Sequence, residues 1–337
     1  MALTVNEDLS SRGWPRNLRT AIGVTAFIAT LVSYQFVFAQ PYPNRPVRIV
    51  VPFPPGGGTD ILARLLGQNL TESLGQQVIV DNRPGAGGKA GTDIAVRAAP
   101  DGHTLLMVSA SYAVNAAIYR LDFDPVKDLA PIVQMALVPF VLVAHPSLPA
   151  GNVKELIALA KAKPGQLNYA STGSGTSPHL AGELLNMMTG TQMVHIPYKG
   201  GGPAIIDLLS GQVQLMFNTV VQSLPHIKSG KLKPIAVGSL KRSTALPQVM
   251  TIDESGVPGY DVTNWFGLLA PGKTSQSIVA RINRDVVHHL QAADFRARLI
   301  TEGAEPVGGS PGEFEQLMRN DIAKYTRIVK AAGISIN

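Results

Sequence analysis

One unit recurs along this 337-residue chain and restricts what it can fold into: a short apolar run, a glycine-rich loop, then apolar residues at helical spacing. Residues 47–51 (Val-Arg-Ile-Val-Val) lack the regular polar alternation of a half-exposed strand, as expected of a strand buried on both faces of a parallel sheet. The run ends in Pro-Phe-Pro-Pro-Gly-Gly-Gly-Thr-Asp at 52–60. Ile61, Leu62, Leu65, Leu66 and Leu70 then follow at helical spacing, with Thr59 or Asp60 available as N-cap.

The same order returns as a strand at 78–80, a glycine-rich connection at 84–91, a helix at 92–98 and a strand at 104–108. A second series follows the apolar run 139–144. It comprises a helix capped by Asn152 and ending at Lys161, a strand at 167–170, the loop Ser-Thr-Gly-Ser-Gly-Thr-Ser-Pro at 171–178, and a helix through Met188. Strands at 193–197, 213–217 and 234–238, with a helix at 203–209, complete it. Strands alternating with helices predict a doubly wound α/β protein. The apolar, extended segments 138–143 and 263–269 bracket a unit of domain size and are expected to form a two-strand hinge. Residues 45–140 and 262–337 would then form one lobe and 141–261 the other, a two-lobe α/β fold. Helices at 275–290, 293–302 and 311–331 are expected to pack back on the first lobe.

At the N-terminus, Arg12, Arg16 and Arg19 precede an apolar run at 21–39 that ends in Val-Phe-Ala. This is the layout of a secretory signal peptide, with cleavage expected after Ala39. A membrane anchor is the rival reading, since about 20 apolar residues span a bilayer, but Tyr34 and Gln35 dilute the run. The chain has no cysteine, which excludes thiol catalysis, cysteine-ligated zinc and disulfides. Export without disulfides points to the periplasm. The formal charge of +6 is spread along the chain without a dense basic run, so nucleic acid is not an expected partner.

Ligands of open α/β sheets collect at the carboxyl ends of strands, and four loops stand there. Three glycines at 56–58 let backbone N–H groups approach a ligand, and the helix start behind them favours an anion without a basic side chain. An ordinary tight turn has the same composition. The loop 171–178 carries five hydroxyls and two glycines, more than capping requires, although loops are rich in such residues anyway. Ser109, ahead of Ala110, Ser111 and Tyr112, follows a third strand, and Pro-Tyr-Lys-Gly-Gly-Gly-Pro at 197–203 a fourth. Phe53 and Tyr198 are expected to cover a ligand from opposite lobes. Trp265 is assigned to hinge or core packing.

Enzyme patterns fail on spacing. Gly88-Lys89 is followed by Ala90 where a P-loop needs Ser or Thr. Residues 85–90 match the loose G-x-G-x-x-G/A pattern of dinucleotide sites, yet 81–84 separate them from the strand and the next strand ends in Ser-Ala-Ser, not in an acid. Thr172 stands where the first glycine of G-x-S-x-G would precede Ser174. His179 and Glu183 could share a metal only if a third ligand joined them. The preferred reading places His179 beside the cleft and His195 half-buried on a strand. No catalytic residue, metal or cofactor is expected.

Taken together, several motifs carry a resemblance: Pro-Val-Arg-Ile-Val-Val-Pro-Phe at 46–53, Gly-Gly-Gly-Thr-Asp at 56–60, and Val-Asp-Asn-Arg-Pro-Gly-Ala-Gly-Gly at 80–88. Asn-Tyr-Ala-Ser at 168–171, Gly-Ser-Gly-Thr at 173–176, Pro-Tyr-Lys-Gly at 197–200, residues 225–232, Pro-Gly-Tyr at 258–260 and Trp-Phe-Gly at 265–267 continue it. The chain resembles the Bug family of tripartite tricarboxylate transporter receptors over essentially its whole length after the leader. The resemblance implies a periplasmic binding protein that delivers an organic acid to membrane permease subunits, with no enzymatic activity. One carboxylate would be held by backbone amides and ordered waters at the first glycine loop, with the hydroxyl loop closing over it. Matching motifs would supply Phe53, Gly57, Gly58, Thr59 and Asp60 from one lobe and Ser171, Thr172, Gly173, Ser174, Thr176 and Tyr198 from the other. Relatives commonly carry an aspartate where Asn218 stands, so a ligand ammonium loses an ionic partner. A di- or tricarboxylate or an aromatic acid is the expected ligand, and a monomer the expected state. A sensor that presents the same complex to a signalling partner is the alternative.

Overall fold

The computed structural model of the chain describes residues 42–332. The expected leader and its cut after Ala39 lie outside them. The first stretch runs β1 (Val47–Val51), α1 (Gly58–Leu74), β2 (Val78–Asn82), α2 (Lys89–Val96), β3 (Thr104–Ser109), α3 (Ser111–Ile118) and β4 (Leu129–Leu137). A second stretch runs β5 (Phe140–Ala144), α4 (Val153–Ala162), β6 (Asn168–Ser171), α5 (Ser177–Thr189), β7 (Val194–Pro197), α6 (Gly201–Leu209), β8 (Leu215–Thr219), α7 (Val220–Lys228) and β9 (Lys233–Val237). The chain closes with β10 (Trp265–Pro271), α8 (Gln276–Gln291), α9 (Ala293–Thr301), β11 (Glu305–Gly308) and α10 (Pro311–Ala332).

These strands form two sheets, β11-β4-β10-β3-β1-β2 and β7-β6-β8-β5-β9. The βαβ units keep β2, β1 and β3 parallel in one sheet and β7, β6 and β8 parallel in the other. The strands that carry the chain between sheets run against them: β10 is antiparallel to β3 and β4, and β5 to β8 and β9. The sheets are therefore mixed, where the alternation alone predicted parallel ones. β5 shows why its sequence lacks alternation. Phe140, Leu142 and Ala144 enter one core with Phe217 and Tyr260, while Val141 and Val143 enter another with Met216 and Leu208. Helices thus cover both faces of this sheet.

The chain leaves the first sheet at Val138 and Pro139 and returns at 262–264, and the crossings are tied together: the Val138 N–H donates to the Asn264 carbonyl at 2.9 Å. Helix α10 buries Phe314 and Met318 against the first sheet, where Trp265 meets Phe314 edge-on and donates Nε1–H to Asp321 at 2.6 Å. Further along, Ile328 packs against the cores of both sheets, and Lys324 pairs with Asp261 at 3.1 Å.

Candidate ligand-binding cleft

The loops at the strand ends enclose a cavity between the two sheets. Its wall includes Phe53, Gly57, Gly58 and Thr59 after β1, Ser109 and Ser111 around the end of β3, and Thr172 after β6. Asn218 and Thr219 at the end of β8, with Gln222 of α7, complete the polar side, and Phe140, Asn264 and Phe266 come from the crossing strands. Pro178 and Gly201 add the first turns of α5 and α6. The cavity is tight, with about 40 Å³ open to the centres of water-sized molecules. A larger outer cavity of about 670 Å³ lies beyond it, and Phe53 and Thr172 line both.

No ionisable side chain lines the inner wall. Anion affinity there has a different source. Five helices, α1, α3, α5, α6 and α7, each place a first-turn residue on the wall, and none has a side-chain cap. Of the helices that begin elsewhere, α4 and α8 are capped by Asn152 and Ser275, whereas α2 and α9 are not. Helix starts without an N-cap side chain direct partial positive charge toward the cavity, although the first N–H of α5 is taken by Ser111 Oγ and that of α7 by the Pro139 carbonyl. Three buried side-chain groups on the same wall, Asn218 Nδ2, Thr219 Oγ1 and Gln222 Nε2, have no hydrogen-bond partner. An orphaned buried donor costs about 1–3 kcal/mol, so three together call for an acceptor. Asn218 keeps its amide oriented by accepting the Thr219 N–H on Oδ1 at 2.9 Å.

The two sides meet through direct contacts. Asn115 Nδ2 donates to the Gly175 carbonyl at 2.7 Å, Tyr119 OH to the Ser174 carbonyl at 3.0 Å, and the Ser177 N–H to Ser111 Oγ at 3.1 Å. Behind the hydroxyl loop, the Gly175 N–H points at His179 Nδ1 at 3.3 Å, and Ser171 Oγ lies 2.6 Å from His195 Nε2. The two imidazoles stack with ring centres 4.0 Å apart. Burial pushes His195 down to about 3, helped by His179. Burial also lowers His179, with Glu183 opposing. Glu183 itself accepts the Tyr169 hydroxyl at 2.5 Å, so these groups brace the loop from behind.

The structure divides the residues expected at the site. Phe53, Gly57, Gly58, Thr59, Ser109, Thr172 and Asn218 share the inner cavity. Gly173, Ser174 and Tyr198 line the outer one. Asp60, Ser171 and Thr176 line neither, for a common reason: each is engaged in shaping its own loop. The Asp60 carboxylate takes the Gly56 N–H at 3.0 Å, Arg64 Nε at 3.0 Å and Asn82 Nδ2 at 2.9 Å. Burial alone would raise its pKa, but these hydrogen bonds hold it below the usual carboxylate range. Ser171 and Thr176, both fully buried, donate to the Gly173 carbonyl at 3.1 and 2.6 Å. The sequence reading left out Gln222, Thr219, Phe140, Asn264 and Phe266 as site residues. Their common signal is position, since they stand at crossing strands or just past a strand end.

Two mixed α/β sheets joined by paired crossings, with a charge-free cavity of orphaned donors between them, define a solute-binding protein of the periplasmic type. The chain matches the tripartite tricarboxylate transporter family receptor model over residues 62–334. It is 38% identical to Protein BugT of Bordetella pertussis over 322 residues, 95% of this chain and 98% of that protein. Among solved structures, R. palustris Rpa4515 with adipate superposes with a TM-score of 0.85 at 37% identity, over 87% of this chain and 99% of that one. The periplasmic binding protein BugD gives 0.84 at 35% identity, over 87% and 99%. The chain belongs to the tripartite tricarboxylate transporter receptor family, a family of substrate-binding receptors and not of enzymes.

Proposed function

We propose that this receptor captures a small carboxylate, a di- or tricarboxylate or an aromatic acid, in the periplasm and delivers it to membrane permease subunits of a tripartite transporter. One observation carries the ligand class: Asn218, Thr219 and Gln222 present unpartnered groups on a wall without ionised side chains. A carboxylate accepts from such donors without needing a countercharge. An ammonium would find no ion partner there, because Asn218 is neutral. The adipate held by Rpa4515 agrees with an acid of this size.

Residues 45–140 with 262–337 and residues 141–261 act as the two lobes, hinged at the paired crossings and closing over the acid as a monomer. Secretion would follow cleavage after Ala39. Thermal-shift screening of the mature chain separates the ligand classes: organic acids raise the melting temperature and amino acids do not. A large shift with amino acids alone refutes the assignment.

A further inference from the structure

We propose that helix α10 is a splint laid across the hinge, which biases the two lobes toward their closed angle and lets Lys324 and Ile328 set ligand affinity from outside the cleft. The inference rests on the two-lobe reading above and goes beyond it, since paired crossings alone would leave the angle free. Helix α10 starts in the first lobe, where Phe314, Met318 and Tyr325 recur at helical spacing in the core. Its middle then holds the returning crossing at three alternate residues. Asp321 accepts Trp265 Nε1–H at 2.6 Å, Tyr325 OH donates to the Thr263 carbonyl at 3.5 Å, and Lys324 Nζ donates to Asp261 Oδ2 at 3.1 Å. Thr263 Oγ1 donates to Asp261 Oδ1 at 2.8 Å and fixes that carboxylate in place.

The splint also reaches the second lobe. Ile328, one turn beyond Lys324, packs against the cores of both lobes. In return, helix α5 sends Leu180 into the first-lobe core with Phe314 and Tyr325, where it is fully buried, while Ala181, Leu184 and Leu185 stay in the second-lobe core. Tyr260 OH donates to the Ala181 carbonyl at 2.8 Å and ties α5 to the same crossing. The first turn of α5 carries Ser177, bonded to Ser111 across the cleft, and Pro178 on the inner wall. Opening the lobes about the crossings would pull Leu180 and Ile328 out of apolar contact and strain the hold on 261–265. The closed arrangement thus gains contacts remote from the cavity, and apparent affinity rises with the closed fraction.

The chain has no cysteine, so spin labels on Glu72→Cys and Lys228→Cys, exposed sites near the ends of α1 and α7, report the angle between the lobes without background. The test combines electron–electron double resonance of the unliganded mature chain with calorimetric titration of hexanedioate. Lys324→Met, which keeps the aliphatic stem, and Ile328→Ala should each broaden the label distances relative to the labelled parent. Each should also weaken hexanedioate roughly two- to fivefold, and the double variant roughly tenfold. Melting temperatures that fall while distances and affinity stay those of the parent would make α10 a purely structural helix and overturn the inference. If hexanedioate binds neither parent nor variants, the ligand reading loses support and the unliganded distances alone decide this one: broadening in the variants upholds it, and unchanged distances overturn it.

Discussion

Gly58 faces Thr219 across the cleft with no room for a methyl group: a Cβ on Gly58 would lie 2.7 Å from Thr219 Oγ1 and 3.3 Å from its Cγ2. These residues start α1 and end β8, so the missing side chain sets how closely the two sheets approach. Gly58→Ala should therefore hold the cleft apart. Within α1 itself alanine is acceptable and lowers the entropy of the unfolded chain, a gain of about 0.4–1 kcal/mol. The expected outcome is a melting temperature equal to or above wild type without ligand, and acid affinity reduced roughly tenfold or more. Unchanged affinity by calorimetry would show that Thr219 simply rotates away.

Gln222 is 6% exposed and its Nε2 has no partner, so it costs the free protein stability that a ligand would return. Replacing it with methionine removes the orphaned donor at similar volume. Gln222→Met should leave the unliganded protein as stable as wild type or up to about 1–2 kcal/mol more stable in urea unfolding. Acid binding should fall roughly tenfold. Loss of stability together with unchanged affinity would mean that the amide serves the fold and not the ligand.

Asn218→Asp places a carboxylate at a position 1% exposed, on a wall with no cation. Burial raises the pKa of an unpaired carboxyl. A raised pKa means that the folded state holds the proton more firmly, so the variant should be least stable at neutral pH and recover as the pH falls. At neutral pH its affinity for acids should drop roughly a hundredfold from like-charge repulsion and lost donation, and amino acids should become measurable ligands by thermal shift. An aspartate variant that still binds acids like wild type would remove Asn218 from the site.

Legibility in the sequence tracked how local each determinant is. The glycine loop and α1 are written in neighbouring residues, and Asn152 caps α4 where a capping residue is expected, accepting the Glu155 N–H at 3.0 Å. Strand β4 was hidden because Pro131 and Gln134 interrupt its apolar run, and a proline argues against a central strand. Register shifts in the pairing with β10 absorb the irregularity. Helix α7 was hidden by Pro225 within it. At the site, Gly57, Gly58 and Thr172 announced themselves by loop chemistry, whereas Gln222 and Phe266 reach the cavity only through tertiary placement. The hydroxyls of Ser171 and Thr176 turn back to the Gly173 carbonyl, a choice that composition does not reveal.

The Asp60 carboxylate, 3% exposed, braces the first glycine loop through Gly56, Arg64 and Asn82. Its folded pKa is depressed, so its contribution is complete above the ordinary carboxylate value and is lost as the pH falls through the folded one. Asp60→Asn should destabilise the protein by about 1–2 kcal/mol at neutral pH, as Arg64 is half exposed and its charge partly screened. Urea midpoints of wild type and variant should converge below about pH 4. A constant difference across that range would assign the loss to packing and not to charge.

Acid should also loosen the opposite jaw, through a different window. His195 sits at about 3 in the folded protein, below the ordinary histidine value of 6.5, chiefly because it is buried and secondarily because of His179. Glu183 acts the other way on His179, and Tyr169, whose ring lies 5.1 Å from His195, is neutral. A depressed pKa means that the unfolded chain takes up the proton first. The neutral His195 thus contributes fully above about pH 6.5 and progressively less as the pH falls toward 3. Protonation sets a charge beside the His179 ring and changes the bond to Ser171, whose Oγ also receives the Gly173 N–H at 3.1 Å. Wild type should therefore lose at least a few degrees more in melting temperature between pH 7 and 4.5 than His195→Gln, while acid affinity over that range should not fall through His195, which stays neutral in the folded protein until the pH nears 3. Parallel melting curves for the two proteins over that range would place the acid sensitivity elsewhere, and Asp60, whose window lies lower, could not account for it.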